Sequence, residues 1–298
     1  MRQSLAYISR HPLTQDGCFF AYSRYFLFHI RHILNHNRPK IYQFVGDIKY
    51  FASIGEAGIL GNIYTGLDDF EEMSFLLHFL RSDDVFLDVG ANVGAYSLLA
   101  SGICQSKTIA IEPIPATFQR LKANVKLNIL DHFIECVNIG LGSQAGRLDF
   151  IDSPHSEMNR VAIVNESSAY HQVTINVRPV DHIVSEKAFP ALIKIDVEGF
   201  EIEVLKGAFQ CLKDMRLKAL IIELNGSGEK YGYTDEQVMS ALIAERFAPY
   251  RYEPFSRELV PLDGKDKAKF NTIFVRDHDD VLAKLKTAPE FKVLSYWI

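Results

Sequence analysis

Two acids 24 residues apart, Asp88 and Glu112, stand at the ends of apolar runs that read as β-strands, Val85–Val89 and Thr108–Glu112. Asp88 opens the segment Asp88-Val-Gly90-Ala-Asn92-Val-Gly94, with Tyr96 just beyond. Its glycines let the backbone turn tightly and approach a ligand closely. Their Gly-x-x-x-Gly spacing is not the Gly-x-Gly-x-x-Gly that seats a pyrophosphate on a helix amino terminus. Asp88 would repel a pyrophosphate, and it suits a ligand carrying an ammonium group, such as the methionine part of S-adenosylmethionine. Glu112, followed by Pro113, is placed to accept hydrogen bonds from both ribose hydroxyls of an adenosine. Its plainer reading is an acid capping the next helix. Asn138, ending a third strand, fits either an adenine contact or a turn.

A second group lies on a fourth run, Leu192–Val197 and the residues after it. Lys194, Asp196 and Glu198 share parity, so an extended strand turns all three one way. The flanking Leu192, Ile193, Ile195 and Val197 predict a buried strand, where an ionised Lys or Asp is costly unless paired. A structural ion pair of Lys194 with Asp196 or Glu223 is therefore one reading. Another is a divalent cation on Asp196, Glu223 and Asn225, since oxygen ligands suit magnesium. Lys194, Asn225 and the loop residues Asn159 and His155 are candidates for contact with a second substrate. Glu201 and Glu203, in the first turn of a helix, read as structural partners of its dipole.

These groups need a scaffold, and the chain supplies one. Its 298 residues are 48% hydrophobic and 23% charged, the composition of an ordinary globular protein. From Val85 onward, strands alternate with helices of 10–15 residues, which predicts a doubly wound parallel sheet with right-handed crossovers. Ligands in such sheets bind beyond the carboxyl ends of the central strands, where Asp88, Glu112 and Asp196 stand. Upstream, Phe70, Met73, Leu76, Leu77 and Leu80 predict a helix over Asp68–Leu80 with acids in its first turn. One continuous helix is expected over Glu201–Leu212.

The net charge of −5 argues against a general nucleic-acid binder. That charge is unevenly placed: residues 1–40 carry six bases and one acid, so the remainder is strongly acidic. Within this arm Phe26, Ile30, Ile33 and Leu34 recur at helical spacing, flanked by Arg24, Arg31, His29 and His32. The pattern reads as an amphipathic helix making peripheral contact with an anionic membrane or partner, or as one packed on the main domain through its basic face. The division expected is a basic, aromatic helical extension over residues 1–62 and a main domain over 63–298. Four scattered cysteines, no apolar leader and no run of ~20 apolar residues point to a cytoplasmic protein.

From about Ile63 to Arg276 the chain resembles the FkbM-type methyltransferases. The resemblance rests on Asp88-Val-Gly-Ala-Asn-Val-Gly94-Ala-Tyr96, Glu112-Pro-Ile-Pro115, Lys194-Ile-Asp-Val-Glu-Gly199-Phe-Glu201, Ile222-Glu-Leu-Asn225 and Asn271-Thr-Ile-Phe274. His11-Pro12-Leu13 is also similar to an arm of bacterial relatives. The resemblance implies a class I, Rossmann-like methyltransferase fold with a seven-stranded sheet, S-adenosylmethionine as donor, and O-methylation of a sugar or small-molecule hydroxyl. It also places the end of the fourth strand beside the methyl group. In-line transfer needs the acceptor oxygen ~3 Å from the methyl carbon, so positioning supplies much of the rate. The acceptor must lose its proton, and a carboxylate is the natural base. Asp196 comes first for that role, with Glu198 and Glu223 next. Relatives often carry His where this chain has Arg160, so any role for a base at that position does not transfer here. A nicotinamide-dependent oxidoreductase, or a non-catalytic cofactor- or glycan-binding scaffold, are the alternatives.

Overall fold

The computed structural model describes residues 2–55, 57–153, 159–163 and 171–298. The chain opens with helices α1 (Arg2–Arg10) and α2 (Cys18–Leu34), a hairpin of β1 (Lys40–Gln43) and β2 (Lys49–Ala52), and helices α3 (Ala57–Thr65) and α4 (Phe70–Phe79). The alternating region follows as β3 (Val85–Val89), α5 (Ala95–Gly102), β4 (Lys107–Ile111), α6 (Pro115–Leu127) and β5 (Ile134–Val137). An inserted four-stranded sheet contains β6 (Gly140–Leu141), β7 (Gly146–Asp152), β8 (Arg160–Val161) and β9 (His171–Arg178). Then come α7 (Val180–Glu186), β10 (Leu192–Ile195), α8 (Glu201–Lys206), α9 (Phe209–Lys213), β11 (Ala219–Glu223) and α10 (Asp235–Ala244). The chain closes with β12 (Ala248–Glu253), β13 (Glu258–Pro261), β14 (Asn271–Val275), α11 (His278–Lys286), β15 (Lys292–Val293) and β16 (Tyr296–Trp297).

The main sheet runs β13-β12-β14-β11-β10-β3-β4-β5. Five adjacent strands, β11, β10, β3, β4 and β5, are parallel, and β14 is antiparallel to β11. The strand order reverses at β3: the chain moves outward to β4 and β5, then returns to lay β10 on the other side. This reversal opens the crevice in which doubly wound sheets hold ligands. The sheet has eight strands where seven were expected. The eighth, β13, folds back on β12 as a hairpin and forms the outer edge. Its four residues Glu-Leu-Val-Pro are too short and too interrupted by Pro to signal a strand, and an edge is where such a strand is tolerated.

Side-chain alternation divides the core between the sheet's two faces. Phe86, Leu192, Ile221 and Ile273 pack with α4, α5 and α11, while Leu87, Ile193, Leu220 and Phe274 pack with α8, α9 and α10. The helix expected over Glu201–Leu212 is two helices, α8 and α9, parted at Gly207. A Cβ on Gly207 would lie 2.1 Å from the carbonyl oxygen of Gly142, so the break lets the inserted sheet come close.

The amino-terminal helix forms, but it packs through a different face from the one its apolar spacing suggested. Ala21, Tyr25, Phe28 and His32 are buried, and Tyr25 and Phe28 join Leu98 and Leu121 in one cluster. His32, expected on the solvated flank, is 1% exposed and bonds the carbonyls of Phe28 and Ala52 through its two ring nitrogens. Aromatic contacts carry this packing, with the Tyr25 and Tyr64 rings 5.0 Å apart and the Phe28 and Tyr42 rings 5.4 Å apart, while Arg24 donates to the Tyr64 backbone carbonyl and not to an acid. Among the described residues, no helix is long and apolar enough to cross a membrane.

Candidate functional site

A cavity of about 670 Å³ opens at the carboxyl ends of β3, β4, β10 and β11. Asp88 is next to last in β3, 1% exposed, and accepts a 2.6 Å hydrogen bond from the Ser97 hydroxyl on α5. Glu112, directly after β4, is anchored at both oxygens: Oε2 accepts from the Asn92 backbone N–H at 3.0 Å and Oε1 from that of Ile114 at 2.9 Å. Glu112 thus ties the turn after β3 to the start of α6. Burial pushes its carboxyl up to about 7 in spite of those two donors, and burial likewise raises Asp88.

The turn between β3 and α5 is tight because β10 ends against it. Gly90 has a φ of +79°, and a Cβ there would sit 1.8 Å from the Asp196 carbonyl oxygen. Asn92 follows with φ 50°, in the left-handed region that Asn tolerates, and Gly94 caps α5. Gly90, Asn92, Tyr96 and Pro113 line the cavity. Asn138 is not among its lining residues: its side-chain amide donates to the carbonyls of Glu112 and Pro113, both at 2.8 Å, and so braces the loop that carries Glu112.

Lys194 and Asp88 are register partners on neighbouring strands. The Lys194 ammonium is buried, 2.7 Å from Asp196 Oδ2 and 4.8 Å from the centre of the Tyr96 ring. Burial alone would lower its pKa, but Asp196 and Asp88 outweigh that and hold it above its ordinary value. The strand β10 ends at Ile195, so Asp196 and Glu198 belong to the following loop and not to an extended strand. Both still face the cavity. Glu198 has φ 55°, an uncommon backbone for a side chain of its size, and is followed by Gly199 at φ +103°. A Cβ on Gly199 would lie 2.5 Å from the Ser227 carbonyl oxygen, so the loop is pinned between two neighbours. Glu201 closes it by accepting from the N–H groups of Val197 and Gly199.

Asp196, Glu198 and Glu223 converge, each offering one oxygen within 4.8 Å of the others. Burial, then Asp196, pushes Glu198 up to about 7. Burial, then Asp196 and Glu198, pushes Glu223 up to about 9. Asn225 does not join them. It lies past the end of β11, where its Oδ1 accepts from the Ser227 N–H in a turn, so strand parity no longer applies. Glu198 takes its place in the cluster. Asn271, opposite Glu223 on β14, lines the cavity as well. The buried Oδ1 of Asn271 and Oε2 of Glu223 find no hydrogen-bond partner among the described residues.

One wall went unread in the sequence. Asp69 at the head of α4 accepts a 2.8 Å hydrogen bond from the Tyr96 hydroxyl, and the Tyr7 hydroxyl of α1 donates to Asp68. Asp68, Asp69 and Glu72 all line the cavity. Burial, then Asp69, raises Asp68 to about 6 and Glu72 to about 8. The available signal was four acids among the five residues Asp68–Glu72, more than one helix dipole needs. Asn159 lines the far side, its Oδ1 accepting from the Ser153 N–H and its amide donating to Thr117. His155 lies outside the described residues.

The model of the methyltransferase FkbM domain matches residues 88–252, more than half of the chain. The chain belongs to this family. Two curated relatives are similar over part of their length. Hexuronic acid methyltransferase AglP of Haloferax volcanii is 32% identical over 152 residues, 50% of this chain and 59% of that protein. Methyltransferase sdnD of Sordaria araneosa is 28% identical over 120 residues, 40% of this chain and 46% of that protein. The chain thus spans about half the length of the curated relatives it matches. Among solved structures, a precorrin-6y C5,15-methyltransferase from Geobacter metallireducens shares 10% identity at a TM-score of 0.40, covering 70% of this chain and 86% of that one. A likeness of that level carries no argument here.

Proposed function

We propose that this FkbM-domain protein is an S-adenosylmethionine-dependent O-methyltransferase whose acceptor is a hydroxyl of a sugar or similar small molecule. The observation that carries the reading is one cavity with two sets of acids: Asp88 and Glu112 at one end, Asp196, Glu198 and Glu223 at the other. The donor set fits a cationic ligand. Burial raises Asp88 and Glu112, and a positive charge placed beside them would lower both again. When bound, S-adenosylmethionine supplies an electrophilic methyl group on a sulfonium. Glu112, with one lone pair of each oxygen taken by a backbone N–H, keeps the others for ribose hydroxyls. Asp88 answers the ammonium, and the Gly90–Tyr96 turn and Pro113 shape the floor.

At the other end the acceptor is oriented by fixed polar groups. Asp196, held by Lys194, and the oxygens of Glu223 and Asn271 that have no partner among the described residues offer themselves to an acceptor rich in hydroxyl donors. Glu198 takes the acceptor proton, since a carboxyl near 7 is matched to proton transfer at neutral pH. This moves the base from Asp196, the first choice by position, to its neighbour. The similarity to AglP, a hexuronic acid methyltransferase, supports a sugar acceptor. A divalent cation on Asp196, Glu198 and Glu223 is a second reading, favoured by the convergence of their oxygens.

The test incubates the protein with methyl-labelled S-adenosylmethionine and a cell extract divided into glycan, small-molecule, lipid and protein fractions, with and without a chelator. Label in an alkali-stable ether of a glycan or small molecule is the expected outcome. Cofactor binding by calorimetry without label in any fraction would favour a binding scaffold instead. Loss of label on chelation alone would favour the cation.

A further inference from the structure

The face of α2 turned away from the domain is apolar and uncovered. Phe19, Phe20, Phe26, Ile30, Ile33 and Leu34 are 45–77% exposed. At 100° per residue they fall within one arc of about 140°. The polar residue inside that arc, Ser23, spends its hydroxyl on the Phe19 carbonyl. The opposite face is buried by Ala21, Tyr25, Phe28 and His32. A helix that is apolar on both sides is a helix with a cover, and here the domain covers only one side.

Charge identifies the cover. Arg31 lies at the edge of the exposed arc, and Arg38 and Lys40 follow the helix; among the described residues none of the three is in an ion pair with a carboxylate. The first 40 residues carry six bases against one acid, while the chain as a whole is at −5. A second copy docked through the same face would bring this basic margin against itself, because a twofold interface must be self-complementary. A surface of anionic headgroups over hydrocarbon offers both complements at once, taking the phenyl and aliphatic groups into the interface and the cations at the headgroup level. The domain's acidic remainder would then turn away from the surface.

We infer that the outer face of α2 docks this protein peripherally on an anionic lipid surface. The inference stands apart from the proposed chemistry, since it rests on α2 and its read-out is binding. It does bear on the site: α1 packs on α2, and α1 carries Tyr7 into the cavity wall.

The experiment floats the full chain with vesicles of phosphatidylcholine, alone or mixed with phosphatidylglycerol, at low and high salt. Binding to the mixed vesicles at least about tenfold above the neutral ones, weakened by salt, is expected. The combined variant F26S/I30S/I33S changes only exposed side chains, so its circular dichroism and melting temperature should stay at the parent values while flotation is lost. Arg31→Glu with Arg38→Glu should weaken binding by about fivefold or more per cation. Three outcomes would overturn the inference: no binding above the neutral vesicles, binding unchanged in the folded serine variant, or a concentration-dependent dimer of the parent that the serine substitutions dissolve. The last would put a second copy on this face.

Discussion

On the β3–β4 side of the cavity, every carboxylate is tied down. Asp88 holds Ser97, and Glu112 holds two backbone N–H groups from two different loops. Across the crevice the acids are tied less and crowded more. Glu223 keeps one oxygen without a partner among the described residues, and Glu198 stands on left-handed backbone beside two other carboxylates. Anchoring fixes a group for recognition, because a carboxylate held by backbone donors keeps both its geometry and its remaining lone pairs. Crowding without anchors raises affinity for a proton, which is what a group that accepts and releases one requires. The two ends of one acidic cavity are thus prepared for different work.

Mutation can break this contrast. The largest effects belong to the anchored side: Asp88→Ala and Glu112→Ala should weaken cofactor binding by about 100-fold or more in calorimetry, with turnover falling in step. Normal affinity in both would remove the recognition role. On the crowded side, Glu198→Gln should leave cofactor affinity intact while turnover falls by about 10²-fold or more. The same variant should lose the rise of turnover through pH of about 7 that the parent shows as Glu198 gives up its proton. A smaller effect is expected at the unread wall. Asp69→Asn keeps the shape of the Tyr96 contact and removes one charge, so the acceptor KM should move by about tenfold or less with kcat nearly constant. A fall in kcat equal to that of the Glu198 variant would extend the crowded side to α4.

The mildest test concerns pH and stability without ligand. Glu72, Glu112, Glu198 and Glu223 have pKa values raised above those of the unfolded chain. Between the two values the unfolded chain has already lost a proton that the folded state keeps, so stability falls as pH rises through that window. The melting temperature should therefore drop between pH of about 5 and about 9, and S-adenosylmethionine should reduce the drop by pairing its positive charge with the acids. A melting temperature that rises across the same range would show these acids to be paired in the folded protein.

The legible parts of the molecule are those whose signal is local. The strands β3, β4 and β10 stand within two residues of their expected bounds because short apolar runs between helices admit few other readings. Asp88 and Glu112 were readable because a strand end in such a sheet points at a ligand whatever the rest does. Asn138 and Asn225 spend their side chains on the loops after their strands, Asn138 on the carbonyls of Glu112 and Pro113 and Asn225 on the Ser227 N–H, and no spacing within a strand encodes such loop bonds. The wall of Asp68, Asp69 and Tyr7 was out of reach for another reason. It depends on where α1 and α4 dock, and no spacing within either helix encodes that. For α2, periodicity found a real apolar stripe, but two stripes shared the helix, and the contacts of Tyr25 and Phe28 with Tyr64 and Tyr42 chose the other one.

The order of the strands has a consequence for how the molecule is made. Residues of β3 pair with β10, more than a hundred residues further along the chain. The centre of the sheet therefore cannot close until most of the polypeptide exists, and the loop to be closed is long. Until then Phe86, Leu87 and Val89 have no partner on one edge, an invitation to pair with another chain. The helices and hairpin before β3 share one apolar cluster with Leu98 of α5, Leu121 of α6 and Ile134 of β5, all made well before β10, so this part can assemble first. Refolding should show a fast phase in which this early cluster gains order and a slow phase in which the crevice, and with it any affinity for ligand, arrives last.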